Sequence, residues 1–192
     1  MVYSIFMNRF IKIRRGDPMP KIIADLQKDI LDKAREILLS QGYEALAMRR
    51  VAAACHVAVG TVYNYFPSKD MLVAQVILAD WRTVLGRMDR LPAAPTPLDT
   101  LGSVFRELEG FYHQYSALWS EYTAAGHVAP ITGAYHQQLV EQIETVIRSA
   151  LAPFSPLCSP ALPGFLAEAL LTAAGRGQSR FDQLSPIFVR LL

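Results

Sequence analysis

Residues 47–72 read AMRRVAAACHVAVGTVYNYFPSKDML, and this stretch decides the fold. The spacing predicts two short helices joined by a tight turn, then the start of a third. The first short helix runs over about Met48–Ala54, with Val51, Ala52 and Cys55 inward. Cys55-His56-Val57 makes the turn, with Val57 pointing back into a small core. The second runs over about Ala58–Tyr65, and Val62 and Phe66, four apart, form its inner face. Pro67 stops it, because proline lacks an amide hydrogen and restricts the residue before it. Ser68 is a natural N-cap for the next helix, with Asp70 in the first turn, where the helix dipole favours an anion.

The side chains left outside are Arg49, Arg50, Val59, Gly60, Thr61, Tyr63, Asn64, Tyr65 and Lys69. Cations, hydroxyls, a carboxamide and a glycine that permits close approach suit a phosphate backbone and the base edges between phosphates. Helix, short turn, helix is the helix-turn-helix layout, whose second helix enters the major groove. Plain core packing of two alanine-containing helices is the alternative. It leaves two tyrosines, an asparagine and a lysine gathered on one side without an explanation.

The run His56-Val57, Ala58-Val59-Gly60-Thr61-Val62-Tyr63-Asn64-Tyr65-Phe66, Pro67-Ser68-Lys69-Asp70 resembles the N-terminal DNA-binding domain of TetR-family transcriptional regulators. With the preceding helix the resemblance covers about residues 22–75. His56 stands where the family pattern has a turn glycine, so a Cβ must be accommodated there. Ala58 replaces the usual serine and loses a side-chain cap worth about 1 kcal/mol. The resemblance implies a homodimer on a palindromic double-stranded operator and a helical body that binds a small lipophilic or aromatic effector. Thr61, Tyr63, Tyr65 and Lys69 are then assigned to phosphates. Val59, Gly60 and Asn64 are assigned to base edges or close groove approach, and Arg49 to guanine. In the family the first helix braces this unit and touches phosphate near its start, which falls near Lys21 or Lys28 here.

The 192 residues are 52% hydrophobic and 19% charged, enough for a core and too apolar for disorder. Apolar residues recur at helical spacing nearly throughout, so the class is all-α, with about nine helices. Net charge is only +2, but it is uneven. Residues 1–75 carry 11 Lys/Arg against 7 Asp/Glu, and residues 76–192 carry 8 against 10. A basic head on a mildly acidic body fits DNA binding by the head alone. Cys55 and Cys158 make no disulfide framework and read as small apolar residues. The opening MVYSIFMNRFIKIRR is broken by Asn8, Arg9 and Lys12, far short of the ~20 apolar residues a membrane span needs. A cytoplasmic location is expected.

Residues 1–20 read as a flexible leader, or as a basic arm along DNA (Arg9, Lys12, Arg14, Arg15), or as a short helix that docks on a partner. The head is assigned to 21–67 and the ligand-binding and dimerisation body to 68–192. Helix one spans about Lys21–Gln41, with an apolar stripe of Ile23, Leu26, Ile30, Ala34, Ile37 and Leu38, and Gly42 as its C-terminal cap. Ser68 to about Arg90 is apolar on more than one face, as a helix buried between two domains would be. Prolines break the chain over 91–97 and 152–160. Helices are predicted over about 98–116, 117–125, 132–151, 161–174 and 181–192.

The aromatic residues of the body are core at helical spacing or the walls of a ligand pocket. Buried Tyr and Trp need polar partners, and a pocket with polar handles would house them. The candidate lining is Trp81, Leu85, Phe105, Leu108, Tyr112, Trp119, Tyr122 and Tyr135. By resemblance the last two helices form a four-helix dimer interface through Leu162, Phe165, Leu166, Ala169, Leu170, Phe181, Leu184 and Phe188. No cofactor or metal is expected: His113, His127 and His136 are not at metal-ligand spacing and lack an obvious carboxylate partner. There is no nucleophile elbow, carboxylate pair or phosphate-cradling loop, so an enzyme is not expected. The expected function is a ligand-released DNA-binding regulator, a repressor. A helical ligand-binding or scaffold protein without specific DNA binding is the alternative, and tight DNA binding separates the two.

Overall fold

The computed structural model describes residues 21–124, 134–154, 159–177 and 180–192. Among them there are nine α-helices, one 3-10 turn and no strand. The helices are α1 (Lys21–Ala45), α2 (Met48–Ala54), α3 (Val59–Tyr65), α4 (Lys69–Met88), α5 (Pro97–Gln114), α6 (Ser116–Ala124), α7 (Ala134–Leu151), α8 (Leu162–Arg176) and α9 (Phe181–Phe188). The all-α class predicted from periodicity is what the chain adopts. The leader or arm of residues 1–20 and Cys158 lie outside the described residues.

The chain forms two compact units. One takes the described residues within Met1–Asp80 and Ala117–Ala129; the other takes those within Trp81–Ser116 and Pro130–Leu192. In the first unit α1 packs on α2 and α2 on α3. Ile30, Ala34, Ile37, Leu38, Leu46, Met48, Val51, Ala52, Val62 and Phe66 close its core. Gly42, expected to cap α1, interrupts it instead, with φ 83° and ψ 176°, and the helix resumes to Ala45. A Cβ at Gly42 would lie 3.0 Å from Glu121 Oε1 on α6, the end of an exposed side chain that can move aside, so it is the backbone conformation that calls for glycine. Arg35 forks between Asp32 at 3.0 Å and Asp80 at 2.6 Å, tying α1 to α4 within this unit.

In the second unit α7 packs on α8, and α8 and α9 on α5. Thr96 caps α5 by accepting from the Asp99 amide at 3.1 Å, and Pro97 occupies its first turn, where the missing N–H costs nothing. Gly177, left-handed at φ 62°, ends α8 after Arg176, two residues beyond the expected end near Ala174. No helix of the described residues is long and apolar enough to cross a membrane.

Candidate nucleic-acid interface

The turn between α2 and α3 is built from local hydrogen bonds. The Cys55 amide donates to Val51 O at 3.0 Å, the His56 amide to Ala53 O at 3.2 Å, and the Val57 amide to Ala52 O at 3.0 Å. Closing the turn this tightly puts His56 at φ 56°. That is the left-handed region where a Cβ crowds the backbone, the consequence expected of His56 in place of glycine. α3 starts at Val59, one residue later than predicted, with Ala58 extended before it and no side-chain cap. Val62 is fully buried and Phe66 nearly so, which fixes the rotation of the helix.

That rotation decides what faces out. Gly60, Tyr63 and Asn64 are exposed, with Tyr63 48% accessible, while Val59, Thr61 and Tyr65 are half-buried. A Cβ at Gly60 would meet nothing within 4 Å, so the packing does not demand glycine there. At the start of α4 the Met71 amide donates to Ser68 Oγ at 3.1 Å, the predicted N-cap, with Asp70 in the first turn.

The cations do not all remain available. Arg49 is exposed. Arg50 beside it is exposed too, but its guanidinium donates to Ala45 O at 2.9 Å and Gln41 Oε1 at 2.8 Å, pinning α2 to the end of α1. Lys28 pairs with Asp32 at 2.8 Å. The hydrogen bond to Asp32 pushes the Lys28 ammonium pKa up and, reciprocally, pulls the Asp32 carboxyl down. Lys28 must therefore leave a carboxylate to reach a phosphate. Among the described residues Lys69 has no carboxylate partner; its ammonium sits 3.7 Å from the centroid of the Tyr43 ring, and the Tyr43 hydroxyl donates to Asp70.

The candidate effector residues fare differently. Trp81 is buried, donates to Gln142 Oε1 at 2.8 Å and lies edge-on to Phe111 at 5.2 Å. Its polar handle is a protein carboxamide, a pairing 61 residues apart that periodicity cannot reveal. Phe105 and Leu108 are core, and Leu85 is half-buried. Tyr112 packs on Phe111 at 5.9 Å, and burial pushes its phenol up to about 12. Trp119, Tyr122 and Tyr135 have side chains outside the described residues. A groove of about 810 Å³ opens elsewhere in the second unit, between the 92–95 segment, α5 and the start of α9. Of the predicted lining residues it includes Phe105, which stacks on Phe181 at 5.7 Å. His136 has a carboxylate partner after all, Glu168 at 2.6 Å.

The predicted dimer face needs correction in part. Leu162, Leu166, Leu170 and Phe188 are buried inside the second unit, because α8 spends its most apolar stripe on α5 and α7. Ala169, Phe181 and Leu184 are half-buried. The large apolar side chains that α8 and α9 leave exposed are Phe165 at 55% and Ile187 at 53%. Ile187 lies outside the set expected at the dimer face; its place one residue before Phe188 puts it on another face of α9.

Residues 30–76 match the model of the family described as bacterial regulatory proteins, tetR family. The HTH-type transcriptional repressor KstR of Mycobacterium tuberculosis is 34% identical over 127 residues, 66% of this chain and 56% of that protein. The KstR of Mycolicibacterium smegmatis is 39% identical over 83 residues, 43% of this chain and 41% of that protein. The chain thus spans about half the length, or less, of the curated relatives it matches. Among solved structures, a TetR-family transcriptional regulator from Pectobacterium atrosepticum superposes with a TM-score of 0.66 at 17% identity, covering 91% of this chain and 96% of that one. One from Rhodococcus sp. reaches 0.60 at 13% identity, covering 88% and 98%. The identities are low, so these structures speak for the fold. The match over the helix-turn-helix, the relatives and the shared fold agree: residues 30–76 belong to the tetR family of bacterial regulatory proteins, in a chain whose fold is like that of solved TetR-family regulators.

Proposed function

We propose that this protein is a sequence-specific DNA-binding transcriptional regulator, a cytoplasmic homodimer that represses from a palindromic operator and is released by a small lipophilic or aromatic effector. The head is residues 21–67 and the body 68–192. The observation that carries the reading is the outward face of α3. Gly60, Tyr63 and Asn64 are exposed on a helix whose inner face is locked by Val62 and Phe66, in a chain whose relatives are named repressors. Tyr63, Tyr65, Thr61 and Lys69 would meet phosphates; Val59, Gly60 and Asn64 would meet base edges, with Arg49 on guanine. A two-fold dimer sets two such helices one helical turn of DNA apart, hence the palindrome. An effector held by the body would act only through a difference in its affinity for the DNA-competent and DNA-incompetent states.

The test is selection from a random duplex pool by the purified chain at physiological salt. A palindrome with two equal half-sites supports the reading; no consensus, with only weak salt-sensitive binding, favours a helical ligand-binding protein instead. On the selected site, Lys69→Ala should weaken binding to all sequences and flatten the salt dependence by about one counterion per half-site. Asn64→Ala should change the preference between sites. An unchanged salt slope for Lys69→Ala would remove Lys69 from the phosphate contacts.

A further inference from the structure

Tyr43 does something that neither the recognition helix nor the core accounts for. It follows the Gly42 interruption of α1, and its ring is brought 3.7 Å under the Lys69 ammonium, 26 residues later in the chain. Its hydroxyl donates to Asp70. One side chain therefore holds both charges at the start of α4, the cation on its face and the carboxylate on its tip. Sequence neighbours on a helix do not face each other, so Asp70 is not a natural partner for Lys69. The Tyr43 hydroxyl secures that separation by engaging the carboxylate itself. A lysine on a four-carbon stem is otherwise free to rotate, and ordering it on DNA costs side-chain entropy. A ring face orders the ammonium beforehand and leaves its charge and donors uncancelled.

We propose that Tyr43 is a positioning residue for DNA binding: it preorganises Lys69 for a phosphate and keeps Asp70 from neutralising it. The proposal rests on the DNA-binding reading above. It also explains why, among the described residues, the cation at the helix start stays without a carboxylate partner while Lys28, Lys33 and Arg35 each have one.

The experiment is a double-mutant cycle on the full chain. Wild type, Tyr43→Leu, Tyr43→Phe, Lys69→Ala and the Tyr43→Leu/Lys69→Ala pair are titrated by anisotropy against a fluorescein-labelled, mixed-sequence duplex over a range of KCl concentrations. Tyr43→Leu should weaken binding about two- to fivefold and lower the salt slope toward that of Lys69→Ala. In the Lys69→Ala background the same change should cost less than about twofold, since the residue it acts through is gone. Tyr43→Phe, which retains the ring but releases Asp70, should lower the salt slope less than Tyr43→Leu does. Equal weakening by Tyr43→Leu with and without Lys69, or an unchanged slope, overturns the positioning role while the DNA-binding reading stands. Failure of wild type to bind the duplex overturns both. Should Tyr43→Leu not fold, proton NMR of wild type and Tyr43→Phe decides. The Lys69 ε-methylene protons should be shifted upfield by the ring in both, and an ordinary lysine shift overturns the proposal.

Discussion

Gly60→Ala separates what the fold needs from what DNA needs. Gly60 lies in the first turn of α3, its φ is not in the left-handed region, and a Cβ built on it meets nothing within 4 Å. Alanine is favoured over glycine inside a helix by about 0.5–1 kcal/mol, because glycine loses more backbone freedom on folding. The substitution should therefore raise stability by that amount, a gain of about 1–4 °C in Tm for a chain this size. The same methyl would stand on the outer face, where the helix is to approach the groove. Loss of one well-placed base contact is worth about 1–3 kcal/mol. Affinity for the selected operator should then fall about tenfold to a hundredfold while the protein becomes more stable. Thermal unfolding paired with operator titration checks both halves. Lower stability would mean that the space around Gly60 is not open. Unchanged affinity in a stabilised variant would refute close approach at this residue.

Three further outcomes are expected. His56→Gly should stabilise the head by about 0.5–1 kcal/mol, since relief of a Cβ at φ 56° outweighs the added freedom of the unfolded chain, and the urea midpoint reports it. Tyr112, whose phenol burial raises from 10.0 to about 12, contributes stability that is fully present below pH 10 and lost as pH rises toward about 12. A phenolate absorbance titration should show a last, late transition that Tyr112→Phe removes; its persistence in the variant would reassign it. Phe165→Glu, at a 55% exposed position on α8, should shift sedimentation from dimer to monomer without unfolding the chain. A dimer that survives it would move the interface away from this face.

Much of the fold was legible because it depends on near neighbours. Helical spacing, Pro67 and the prolines of 91–97, Ser68 before Met71 and the four-residue step from Val62 to Phe66 are all short-range facts. The structure moves the helix ends by up to about four residues, as at α1, which runs on to Ala45 past the expected Gln41, and at α9, which stops at Phe188 where the sequence suggested Leu192. At His56 the sequence even foretold the backbone: a turn that closes in three residues needs positive φ whatever residue occupies it. The outer face of α3 followed from the same logic, because burying Val62 leaves Tyr63 and Asn64 outside.

Partner choice among side chains was not legible. Arg49 and Arg50 are adjacent, chemically identical and both exposed, yet the Arg50 guanidinium is engaged by Gln41 and Ala45. Trp81 donates to Gln142, 61 residues away, and the apolar stripe of α8 is covered by α5 and α7, leaving Phe165 to face outward. Period and composition say that a side chain is buried or charged, not what it meets. By itself, then, the sequence determined an all-α chain, its helix-turn-helix and the outer face of α3, since each follows from contacts within a few residues. Only the tertiary structure decided which cations carry free charge, which aromatics are core and that Tyr43 sits beneath Lys69. Those pairings bring together residues tens of positions apart, and only the packed helices set their distance.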